Sequence, residues 1–142
     1  MLPWQTIDAY LLAKGVKVGA ASLAQSTGGT HVPTSYHYQG LARDYGSNSN
    51  REAIAMALLA LASGAAPVVI ELFYSPLGIF YKNGKKFTPD EKLRRDHLDH
   101  VHVAVRGGTD LRKYLPIAIV GGGALVLLVA AILVGTLAGA KG

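Results

Sequence analysis

The sequence predicts an α+β domain, a small antiparallel sheet with two or three helices, followed by a C-terminal transmembrane helix. Three observations predict it. Helical apolar spacing alternates along residues 1–110 with short β-branched and aromatic runs. An Asn83-Gly84 pair lies between two such runs, and from Leu115 to Ala140 no residue carries a charge.

Composition sets the outer bounds. Half of the 142 residues are hydrophobic and 16% are charged, which is too apolar for a disordered chain. The length fits one domain with an appendage. Without cysteine there is no disulfide framework, no Cys-based zinc finger and no iron–sulfur site, so any metal must be held by His and carboxylates. The 14 basic and 9 acidic residues give a net charge of +5, a mild preference for anionic surfaces that does not indicate nucleic acid.

The elements follow in order. Leu2, Ile7, Leu11 and Leu12 fit one face of a short amphipathic helix that stops at Gly15. This segment lacks the basic start and long apolar core of a signal peptide. Residues 22–34 are rich in Gly, Ser and Thr and read as a loop. A short strand fits Leu41–Asp44. Ser47-Asn48-Ser49-Asn50 offers helix caps before Arg51–Gly64, an Ala/Leu helix apolar nearly all round that should lie across a sheet. Pro67–Tyr74 is β-branched and aromatic, a central strand. Asn83-Gly84 within Gly78–Phe87 is a strong hairpin signal. Thr88-Pro89-Asp90-Glu91 opens a short polar helix with Thr88 as its cap. His100–Val105 alternates strictly, a strand with one polar face.

The uncharged run is long enough for a bilayer core, which needs about 20 apolar residues as helix. Arg112, Lys113 and Tyr114 precede it and Lys141 follows, as interfacial anchors would. The chain thus divides into a domain at 1–110 and a basic linker with a single membrane helix at 111–142, a single-pass protein held in the lipid bilayer through residues 115–140. More basic residues precede the span than follow it, which places the domain on the cytoplasmic side. Gly121-Gly122-Gly123 would let helices approach closely, so a homo-oligomer through this helix is a further expectation.

The chemistry lies in the five histidines, His31 and His37 in one cluster and His97, His100 and His102 in another. His100 and His102, two apart in a strand, project to one face. His37 and Asp44 bracket a Gly-containing turn into a strand, which could bring them to one point. Two His nitrogens and one carboxylate oxygen would leave a fourth tetrahedral position open, the pattern of a catalytic zinc site. His31 has no motif partner and reads as a loop residue. Lys82, Lys85, Lys86, Lys92, Arg94 and Arg95 read as a solvated hairpin and helix face, without the interleaved aromatics that nucleic-acid binding needs.

SYHYQGLARD resembles the Ser-x-His-x-x-Gly-x-Ala-x-Asp motif of D-alanyl-D-alanine metallopeptidases and murein endopeptidases, a group that includes lysostaphin-like and hedgehog-like zinc folds. HLDHVH is similar to the His-x-His that closes their site, and compact phage versions end in runs like DHVHVAV. The resemblance covers Ser35 to Val105. It implies Zn2+ held by His37, Asp44 and His102, with His100 assisting at the reacting carbonyl. It places Asp99, one methylene shorter than the Glu of the carboxypeptidase branch, and His97 in the general-base role. Ser35 and Arg43 match or flank the motif as substrate-binding residues. The implied substrate is a peptidoglycan peptide containing D-amino acids. Two function classes follow: a membrane-tethered, phage-related zinc peptidase, or a non-catalytic virion or membrane structural protein that keeps the peptidase-like fold.

Overall fold

A computed structural model describes residues 2–19, 31–46 and 48–115. Among the described residues the architecture is α+β, with a five-stranded antiparallel sheet and three α-helices. In chain order the elements are α1 (Pro3–Ala13), β1 (Ala42–Tyr45), α2 (Arg51–Ala62), β2 (Val69–Tyr74), β3 (Ile79–Lys82), β4 (Lys85–Lys86), α3 (Glu91–Asp96) and β5 (Val101–Val105). The strands lie in the order β1-β5-β2-β3-β4. The expected membrane helix and most of the expected Gly/Ser/Thr loop lie outside the described residues. Among the described residues no helix is long and apolar enough to cross a membrane.

Strand alternation divides the sheet into two faces with different tasks. Tyr45, Leu72, Tyr74, Val101, Val103 and Val105 form one core with α1 and α2, and all are buried. The helices earn these places by their stripes of apolar residues. In α2 these are Ile54, Ala55, Leu58 and Ala62, while Met56 stays exposed. In α1 the buried stripe is Trp4, Ile7, Tyr10 and Leu11. Leu2 and Leu12, expected on that face, are exposed, because Trp4 and Tyr10 take the helical spacing around Ile7. Pro3 fills the first helical position and the Gln5 side chain accepts the Leu2 N–H at 2.7 Å. Leu111, one residue past the expected domain end, is buried in this core, and its N–H reaches Thr6 Oγ1 at 3.2 Å.

Local signals explain the connections. Asn83 and Gly84 both have positive φ, 50° and 84°, as a tight hairpin turn requires. Helix α3 is capped by Asp90, whose carboxylate accepts the Leu93 N–H at 2.7 Å, and not by the expected Thr88. A carboxylate is the better partner for the positive end of a helix. The side chains of Asn48 and Asn50 bond to Gly19 N and Lys17 O, tying that segment down instead of capping α2.

Candidate metal centre

The second face of the sheet carries the polar groups. Asp44 on β1, His102 on β5 and Phe73 on β2 occupy one rung across three strands. Side chains directly opposite one another in antiparallel strands are close neighbours. His37 enters from the turn before β1, where the Ser35 hydroxyl accepts the His37 N–H at 3.3 Å and Gly40, at φ 67°, reverses the chain. The result is a cluster of donor atoms. His102 Nδ1 lies 2.9 Å from Asp44 Oδ1 and 3.2 Å from His37 Nε2, and His37 Nε2 lies 3.3 Å from Asp44 Oδ1.

Glu71 completes the surroundings of His102, with Oε2 at 3.1 Å from Nε2. A bulge makes this possible. The β2–β5 register shifts between Val69 and Glu71, so Ile70 is an extra residue. Val69 therefore faces the core while Glu71, two residues on, faces the site. The Phe73 ring stacks on His102 with centroids 5.2 Å apart. Lys82 Nζ lies 2.9 Å from Glu71 Oε1.

The electrostatics follow from these contacts. Burial disfavours the charged His102 imidazolium, but hydrogen bonds to Asp44 and Glu71 outweigh it and push its pKa up to about 9. Burial also opposes ionisation of Asp44, and the hydrogen bonds from His102 and His37 overcome it and hold the carboxyl well below its usual range. Glu71 is lowered in the same way, burial being outweighed by His102 and Lys82. His97 behaves oppositely: burial dominates and brings it down to about 4, so it is neutral at pH 7. Its Nδ1 lies 2.7 Å from the Leu93 carbonyl, which can only accept, so the proton sits on Nδ1 and Nε2 keeps its lone pair.

A cavity of about 650 Å³ opens over this face. Its lining includes His37, Asp44, Glu71, His97, His100 and His102, together with Ser35 and His31. Val32 and Tyr36 line it as well. Residues from the two distant motifs thus share one space. His100 Nε2 stands 3.9 Å from Asp44 Oδ2, and its Nδ1 bonds to Asp99 Oδ1 at 2.8 Å. Asp99 itself is exposed and is not among the described residues that line the cavity.

Two expectations need correction. Arg43 is not at the site. It alternates with Asp44 along β1 and so points through the opposite face, where it is 1% exposed, ion-paired with Asp8 and packed on Tyr45 with its guanidinium 4.5 Å from the ring centroid. His31, expected as a plain loop residue, stacks on His37 with centroids 4.1 Å apart. Ligand atoms of His31, His37 and Asp44 lie within 4.8 Å of one another, a group that could hold a metal ion. The spacing of His31 in the sequence gave no hint of this. Glu71 was also missed, although a lone carboxylate in the apolar run PVVIELFY needs a partner once the strand is central.

Compared with protein-family models, curated proteins and solved structures, the chain matches none.

Proposed function

We propose that this chain is a zinc-dependent peptidase that hydrolyses D-amino-acid-containing peptide bonds of peptidoglycan, phage-related and tethered to a membrane through residues 115–140. The observation that carries the reading is the meeting of His37 Nε2, Asp44 Oδ1 and His102 Nδ1 at 2.9–3.3 Å beneath a cavity. Atoms bound to tetrahedral zinc at about 2.0–2.1 Å are about 3.3 Å apart, so the three donors need to open by only a few tenths of an ångström. Two imidazoles and one carboxylate also suit zinc chemically, and they leave a fourth position for water. Zinc held there would supply a water of near-neutral pKa and polarise a substrate carbonyl.

The remaining roles belong to the chain. His97, neutral with its lone pair on Nε2, takes a proton from the attacking water and returns it to the leaving amine. His100 donates its Nδ1–H to Asp99 and, as the imidazolium with both nitrogens protonated, donates Nε2–H to the developing oxyanion. Asp99 is then a positioning residue and not the base that the family resemblance implies. The Ser35 hydroxyl shapes the turn that presents His37.

A second reading, a non-catalytic structural protein that keeps the metal, is favoured by the exposure of Asp99 away from the cavity. One experiment separates the two. The full chain is purified in detergent, its zinc content measured, and cleavage of murein compared with His37→Ala, His102→Ala and His97→Ala. The peptidase reading expects one zinc per chain, lost in the first two variants, and cleavage reduced about 100-fold or more with the metal kept in His97→Ala. Stoichiometric zinc without cleavage supports the structural reading. Absence of zinc from the wild-type chain overturns both.

A further inference from the structure

We propose that Glu71 is the positioning residue of the metal centre: by accepting the Nε2 proton of His102 it commits Nδ1 of that ring to the metal. The inference rests on the zinc reading above and adds a residue to it. An imidazole can bind a metal through either nitrogen, and the choice is set by what the other nitrogen meets. Here Nε2 meets Glu71 Oε2 at 3.1 Å, while Nδ1 faces Asp44 and His37. The ring plane is fixed as well, because Phe73 stacks on it at an interplanar angle of 22°.

The carboxylate is itself held. Its second oxygen is 2.9 Å from Lys82 Nζ on the neighbouring strand, at the directly paired position. Both oxygens are therefore engaged, one towards the ligand and one towards a cation. The fold departs from regular pairing to achieve this, since without the extra residue Ile70 both Val69 and Glu71 would face the same side. A carboxylate behind a ligating His orients the ring and raises its basicity, and losing such a partner typically weakens metal binding by about 10–100-fold.

The test measures zinc affinity by chelator competition on the full chain in detergent, for wild type, Glu71→Gln and Glu71→Ala. Thermal melts of the metal-free forms serve as a control for folding. Glu71→Ala should bind zinc about 10–100-fold more weakly. Glu71→Gln, whose amide oxygen still accepts Nε2–H, should fall between it and wild type. Nitrogen-15 histidine spectra of the zinc-loaded chain supply a second readout: His102 should show metal on Nδ1 and a slowly exchanging proton on Nε2, with faster exchange in both variants. Equal affinity and an unchanged Nε2 proton in the variants, with zinc present in wild type, overturn this inference and leave the zinc reading standing. If Glu71→Ala does not fold, the comparison of Glu71→Gln with wild type decides. A wild-type chain without zinc overturns both, and is distinguishable because no variant is then needed.

Discussion

Removing Asp8 should destabilise this protein strongly and leave the candidate metal centre intact. Asp8 pairs with Arg43, the largest fully buried side chain among the described residues. Arg43 also donates to the Gly19 carbonyl at 3.1 Å, and its guanidinium lies against Tyr45 and Trp4. The two partners are not equivalent. The Arg43 side chain is 1% exposed and that of Asp8 is 19% exposed, so each loses something different when the other is removed. Asp8→Ala leaves a buried cation with a carbonyl and two ring faces, a cost of about 3–5 kcal/mol. Arg43→Met leaves a carboxylate that still accepts the Tyr45 hydroxyl at 2.6 Å and can reach water, a cost of about 1–3 kcal/mol. The double variant should cost less than the sum, because no charge is then stranded. For a domain of this size 1 kcal/mol shifts the melting temperature by about 4–8 °C, so Asp8→Ala should melt at least about 12 °C lower. The assay is thermal unfolding by circular dichroism in detergent, with zinc content measured alongside. Melting of Asp8→Ala within about 4 °C of wild type would refute the structural role. So would an Arg43→Met variant that loses metal or cleavage while melting normally.

Two further predictions concern the pH response and the hairpin. In the chelator-stripped chain, His102 titrates near 9 when folded against 6.5 when unfolded, so its contribution is complete below pH 6.5 and is lost as pH rises through 9. Asp44 and Glu71 are shifted down, so their side of the same contacts is complete above about 4.5 and is lost in acid. The stability of the stripped chain should therefore peak between about pH 5 and 6.5 and fall towards pH 9, by at most roughly 3–4 kcal/mol for the His102 pKa difference, with the melting temperature following; a flat melting profile from pH 6 to 9.5 contradicts the His102 contacts. At the hairpin, Gly84 has φ 84° and a Cβ added there would lie 1.9 Å from the Gly64 carbonyl oxygen. Gly84→Ala should cost more than about 1 kcal/mol from the left-handed backbone alone, while Gly64→Asn, at a positive φ with open space, should cost less; equal melting temperatures for the two variants count against this turn.

What the sequence disclosed and what it hid divide along physical lines. The helices and strands around the site were readable because each has its own local signal: apolar spacing for α1 and α2, β-branched composition for β2, an Asn-Gly turn for β3–β4 and alternation for β5. His37, Asp44 and His102 were singled out because SYHYQGLARD and HLDHVH resemble the ligand motifs of a known peptidase group, and the structure sets these three together. Arg43 was misplaced because a motif records order but not which face a side chain takes. Its neighbour Asp44 settles the face by alternation, a step available from the sequence once Leu41–Asp44 is read as a strand. Glu71 was hidden for a different reason. Simple alternation puts it on the face of Val69, and only the bulge at Ile70, which depends on pairing with β5, turns it to the site. His31 was hidden because its approach to His37 depends on tertiary packing of the turn at residues 31–40.

The division of the sheet into two faces bears on how metal binding and folding are coupled. In small zinc modules the metal replaces a core, and the chain unfolds without it. Here the core lies on the face away from the ligands and joins α1, α2 and three central strands through residues such as Leu58, Leu72 and Val103, all fully buried. Asp44 and His102 are paired across β1 and β5 by backbone register, and Glu71 is brought to the same face by the β2 bulge. That much of the arrangement is set by strand pairing over a buried apolar core. His37 and His31 come from turn residues, where the Ser35 hydroxyl accepts the His37 N–H and the two rings stack. If the proposed metal binds there, its free energy would therefore add to an already folded domain, and the chain stripped by chelator should still melt cooperatively.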